Sequence, residues 1–146
     1  MYTVEEIIFM QTQAEEIQLQ YPKEFVLMAP EKLQDIANGY GPDRWPETVR
    51  KTLTWFFRHY PVPAAIHDLR YELSDGIEPT RRAADAEFAA NLLTVWKKRY
   101  GGWRFINPLA LYERWKLRTA ALLAHEFGRL AWQEAYKRNQ ERGDFL

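Results

Sequence analysis

The sequence predicts an all-α protein, folded as a compact helical bundle, and three observations carry that expectation. Apolar residues recur at helical spacing in almost every segment. No stretch alternates apolar and polar residues as a half-buried strand does. Proline and glycine interrupt the periodic stretches at intervals that suit helices.

The elements follow in order. Thr3 and Glu6 have the spacing of a capping box, and Val4, Ile7, Ile8, Ala14 and Ile17 form an apolar stripe that Tyr21-Pro22 should end. Between Phe25 and Ile36 one short helix is expected after Pro30. Asn38-Gly39-Tyr40-Gly41-Pro42-Asp43 reads as a loop, because two glycines in three residues favour turns and close backbone approach. Pro46 suits a first helical position, ahead of Val49, Leu53, Phe56, Phe57 and Tyr60 at helical spacing. After the break at Tyr60-Pro61-Val62, Pro63 should open a helix carrying His67, Asp68 and Tyr71, with Asp75-Gly76 as its stop. Pro79 should begin a longer helix with Ala84, Asp85, Phe88, Leu92 and Val95 on one side, ending near Gly101-Gly102. The last third reads as one long helix or a broken pair. Its expected apolar face is Leu109, Tyr112, Trp115, Thr119, Leu122, Phe127 and Leu130, and its polar tail from Lys137 is expected to fray.

Composition bounds the function. The 146 residues read as one domain, with flanking helices at 3–20 and 105–137. Twenty basic residues balance twenty acidic ones, which removes the electrostatic footprint of broad nucleic-acid binding. Cysteine is absent, so no disulfide framework exists. Acidic residues stand where a signal peptide carries its basic flank, and no stretch is long and apolar enough for a membrane span. The expected location is the cytoplasm of the producing cell.

The chemistry concentrates around His67-Asp68. On a helix, His67 and Tyr71 share a face, while Asp68 is turned about 100° away toward a neighbouring element. The distance from His67 to Asp85 lets the next helix return antiparallel and set Asp85 opposite the imidazole. A carboxylate on one ring nitrogen fixes the tautomer and leaves the other nitrogen free as a base. Tyr71 can donate its hydroxyl to the same carboxylate. Carbonyl oxygens of Gly39, Gly41 and Asp43, with the Asp68 carboxylate, would make an all-oxygen site suited to calcium, and the Gly41 amide can serve an oxyanion.

A glycine loop, then His-Asp-x-x-Tyr, then Ala-Asp-x-x-Phe resembles the phospholipase A2 superfamily, specifically its short, cysteine-free bacterial and parvovirus-capsid type. The resemblance covers a core of about 38–93. It implies an antiparallel helix pair beside a glycine-rich metal loop. It further implies that His67 is the base, Asp85 its orienting partner, Tyr71 a support and Gly41 the oxyanion donor. Weakly bound calcium would rest on Asp68, Gly39, Gly41 and Asp43. Asp43 stands where the family has its last loop glycine.

Two other histidine chemistries fit poorly. Scattered-ligand metal phosphohydrolases need more histidines than His59, His67 and His125, and His125-Glu126 lacks the second histidine of a zinc-protease helix. The tryptophans are expected in the core, except Trp103 of Trp103-Arg104-Phe105, a loop aromatic able to touch lipid or a partner. Arg81-Arg82 and Lys97-Lys98-Arg99 are expected as solvated helix faces.

The resulting expectation is calcium-dependent hydrolysis of phospholipid acyl esters by a His-Asp dyad at a membrane surface, in a phage-associated or delivered effector. The alternative is a non-catalytic phage or mobile-element interaction protein that keeps the helical core and binds a protein partner through its C-terminal helix.

Overall fold

A computed structural model describes residues 2–37 and 47–143. The expected loop from Asn38 to Asp43, with Gly39 and Gly41, lies outside them, as does Pro46. Among the described residues all regular structure is helical: α1 (Val4–Glu16), α2 (Glu24–Leu27), α3 (Pro30–Ala37), α4 (Glu47–Phe57), α5 (Pro61–Glu72), α6 (Glu78–Tyr100) and α7 (Pro108–Arg142), with a 3-10 turn at Gly101–Phe105.

Local chemistry explains most boundaries. Thr3 and Glu6 form the reciprocal capping box that starts α1. The helix stops at Glu16, well before Tyr21-Pro22, because Gln18 takes left-handed backbone (φ 55°). Its buried face is Ile7, Met10 and Ala14, whereas Ile8 is exposed. The expected stripe holds at Ile7, Ala14 and Ile17, with Met10 in the core where Ile8 was expected. α5 begins at Pro61 rather than Pro63, since a proline at the first helical position loses no hydrogen bond. Pro79 lies in the first turn of α6, and Gly101, with φ 55°, ends that helix.

Two apolar clusters share α5 as a wall. One packs α1, α2 and α3 against α5 through Ile7, Phe25, Leu33, Val62, Ile66 and Leu69. The other joins α4, α6 and α7 through Phe57, Tyr60, Phe88, Trp96, Leu117 and Ala120, with Ala64 of α5 at its edge. Polar pins cross between elements. The Asn91 side chain bonds both backbone groups of Gln20 (2.9 and 2.7 Å), and the Trp96 indole donates to the Ala110 carbonyl at 2.8 Å.

The C-terminal helix departs most from expectation. It spans Pro108–Arg142 without interruption, rather than 105–137. Its buried face includes Ala110, Glu113, Leu117, Ala120, Ala124, Gly128, Trp132 and Ala135. Leu109, Tyr112, Trp115, Leu122, Phe127 and Leu130, read from sequence as core, are exposed. The reason is volume. α6 and α5 already fill the interface with Phe88, Leu92, Trp96 and Tyr71, so α7 approaches on a seam of small residues. The polar tail does not fray within the described residues. Arg138 and Arg142 each reach a Glu72 carboxylate oxygen (3.1 and 3.3 Å), and Asn139 donates to the Glu72 carbonyl at 2.7 Å.

Candidate functional site

Asp85 is the centre of the site, and it sits at the contact of three helices. It projects from α6 between His67 and Tyr71 of α5 and His125 of α7. Oδ1 accepts from His67 Nε2 at 3.0 Å and from the Tyr71 hydroxyl at 2.8 Å. Oδ2 accepts from Arg81 Nη1 at 2.7 Å and from His125 Nδ1 at 2.9 Å. Four donors fill the acceptor capacity of an ionised carboxylate. Burial pushes the Asp85 carboxyl up, but its hydrogen bonds with His67, Tyr71 and His125 outweigh that and hold it below the usual carboxylate range.

Helical spacing supplies three of these contacts. His67 and Tyr71 stand one turn apart on α5, and Arg81 stands one turn before Asp85 on α6. The His67 ring is fixed further by Phe88, stacked at 4.4 Å between ring centroids, and by the Tyr71 ring at the same distance. Gly128 makes room for Tyr71, because a Cβ there would run into the tyrosine hydroxyl. Burial and the Asp85 charge push the Tyr71 hydroxyl up, so it stays a donor.

A chain of charged groups runs behind the two imidazoles. Arg81, almost fully buried, also donates to both Glu78 oxygens (3.0 and 2.7 Å) and to the His125 carbonyl at 2.8 Å. Glu78, held down to about 2 mainly by its Arg81 hydrogen bonds, neutralises that guanidinium. Glu78, Arg81 and Asp85 together thus keep one negative charge beside the two imidazoles. An ionised Asp85 can only accept, so it fixes the bonding proton on Nε2 of His67 and leaves Nδ1 as the basic nitrogen.

Asp68, next along α5, is partly buried and takes no part in this cluster's hydrogen bonds. Burial alone pushes its carboxyl well above the usual carboxylate range, and no donor or cation among the described residues offsets that. Among the described residues no three metal-binding side chains cluster, so a cation at Asp68 would need backbone or water oxygens for its other ligands. Gly39, Gly41 and Asp43, assigned those roles from sequence, lie outside the described residues.

Two members of the cluster were missed by sequence reasoning. Arg81 was expected on a solvated face, yet only its neighbour Arg82 is exposed. The Arg81-to-Asp85 spacing of one helical turn was the available signal. The sequence suggested His125 only as a metal ligand, in a scattered-ligand phosphohydrolase or a zinc-protease helix. Its place beside Asp85 depends on the register of α7, which the misread apolar stripe concealed.

No family model, curated protein or solved structure matches the chain.

Proposed function

We propose that this protein is a calcium-dependent, phospholipase A2-like hydrolase of phospholipid acyl esters. The observation that carries the reading is the Asp85 carboxylate bonded to His67 Nε2 at 3.0 Å and to the Tyr71 hydroxyl at 2.8 Å. A ring oriented this way, with an anion behind it, is built to take a proton.

In this reading His67 Nδ1 accepts a proton from water as the water oxygen bonds to the ester carbonyl carbon. Asp85 stabilises the resulting imidazolium. The bond from that carbon to the glycerol oxygen then breaks, and His67 returns the proton to the leaving oxygen, releasing a fatty acid and a lysophospholipid. Calcium, when bound, supplies positive charge to a developing oxyanion and to the substrate phosphate. Asp68 fits that ion because its carboxyl is costly to ionise without a cation nearby. Carbonyls of Gly39, Gly41 and Asp43 are assigned the remaining ligation, and the Gly41 amide the oxyanion contact. One carboxylate with backbone oxygens implies weak binding, about 10⁻⁴ to 10⁻³ M. Such an enzyme is idle in a calcium-poor cytosol and acts after delivery to a calcium-rich membrane, as a phage-associated effector would.

Membrane access has a candidate surface at the turn between α6 and α7. Trp103, Phe105 and Ile106 are 73%, 60% and 69% exposed. The segment from Lys97 to Tyr112 carries Lys97, Lys98, Arg99 and Arg104 and no acidic residue. Exposed aromatics beside basic residues suit an anionic lipid surface. The described helices include none long and apolar enough to cross a membrane, so contact in this reading is peripheral.

One observation favours the non-catalytic alternative: Leu122, Phe127 and Leu130 remain exposed farther along α7, away from that turn. Calcium calorimetry separates the readings. The hydrolase binds calcium at millimolar concentration with a rise in Tm, and Asp68→Asn removes both effects. Absence of binding heat and of a thermal shift at millimolar calcium overturns the proposal.

A further inference from the structure

A second site opens on the other side of Asp85. α6 and α7 flank an open groove of about 480 Å³, inside the roughly 300–1,000 Å³ range of small-molecule pockets. Its floor is apolar, built from Ala86, Ala89, Leu92 and Leu93 of α6 and Leu117 and Leu122 of α7. Three arginines line it, Arg82, Arg114 and Arg118, and His125 closes one end against Asp85.

The charge of this groove is one-sided. Asp85, the one acidic lining residue among the described residues, already accepts four hydrogen bonds, including one from buried Arg81. Arg82 shares Glu78 with Arg81, and Arg114 lies over the Trp96 ring at 5.4 Å. Arg118 has no hydrogen bond, ion pair or ring contact among the described residues. A guanidinium that has no partner among the described residues, above an apolar floor, suits an anionic head with an apolar tail, because the planar fork matches a carboxylate with two parallel hydrogen bonds. Arg82 and Leu93 are eleven residues apart on α6, a run of about 16 Å, and the antiparallel register of α7 sets Arg118 partway along it, with the longer arm toward His125.

We propose that the α6–α7 groove binds a medium-chain fatty carboxylate, its head held by Arg118 and its chain on Leu117, Ala89, Leu122 and Ala86 toward His125. The ligand class is read from the groove's own walls. It coincides with the product class of the hydrolase reading, but does not require His67 to be catalytic. Bound there, the ligand lies one residue, His125, away from the carboxylate that orients His67.

Calorimetry of the full chain with dodecanoate below its micelle concentration tests this. Dodecanoate binds at one site, and affinity rises with chain length from octanoate by up to about fourfold per methylene. Arg118→Gln weakens binding at least tenfold, Arg118→Lys weakens it less, and Ala89→Phe, which fills the groove from an exposed position, abolishes it. His67→Ala leaves dodecanoate affinity unchanged, so failure of the hydrolase reading is distinguishable from failure of this one. Equal affinity for dodecanol, unchanged binding in Arg118→Gln, or saturation by an acidic amphipathic peptide but not by dodecanoate overturns the proposal.

Discussion

Asp85 and Asp68 are two aspartates on facing helices with opposite electrostatic fates. Asp85 gains four donors and is held ionised, whereas Asp68 is desolvated with no compensating group among the described residues. Their linkage to stability therefore has opposite signs. The folded pKa of Asp85 lies below its ordinary value of 3.8, so its contribution is complete above that value and is lost as pH falls through the depressed one. Asp85→Ala should cost about 3–5 kcal/mol in urea unfolding at neutral pH, since it leaves the buried Arg81 without one of its two carboxylate partners. The folded pKa of Asp68 is raised, so the folded state is favoured below the ordinary value and that advantage is lost as pH rises through the raised one. Asp68→Asn should thus raise Tm at pH 8 without calcium and change it little at pH 3. Scanning calorimetry at both values checks the sign, and a lower Tm at pH 8 would refute it. Stability given up at one carboxylate is expected where a ligand supplies the missing charge.

At the scale of elements, α7 shows why some features were legible and others were not. Thr3 and Glu6 advertised the start of α1 because capping depends on neighbours in sequence. Proline placement likewise marked the first turns of α5 and α6, with an error of two residues at Pro61. The face that α7 buries depends on what fills the opposite side, and large residues on α6 force small ones on α7. Gly128 is the tightest point of that seam, against the Tyr71 hydroxyl. Gly128→Ala should destabilise the fold by about 1–3 kcal/mol, the usual cost of overpacking, although alanine is the better helix former. Thermal unfolding measures it, and a gain in stability would show that the seam has slack. At the turn before α7, Trp103→Ser with Phe105→Ser should abolish sedimentation with anionic vesicles and leave Tm unchanged, because both side chains are mostly exposed. Undiminished sedimentation would remove that turn as the lipid contact.

For the whole molecule, α5 is the shared wall of two apolar clusters, and both candidate sites depend on what packs against it. His67 and Tyr71 were legible as one face of one helix, and Asp85 as the next helix's return. Arg81 was readable only through its one-turn spacing to Asp85, and His125 and the α6–α7 groove were not legible, since both arise only when α7 lies along α6. The calcium loop assigned to Gly39, Gly41 and Asp43 lies outside the described residues, so the hydrolase reading rests on His67, Tyr71, Asp85 and Asp68. Its most direct test is the initial rate of fatty acid release from mixed phospholipid vesicles at millimolar calcium, for the native chain and a folded His67→Gln variant side by side. The account predicts calcium-dependent release by the native chain and a loss of at least a hundredfold in the variant, the lower range for a positioned general base. No release by the native chain, or equal release by both, would contradict it.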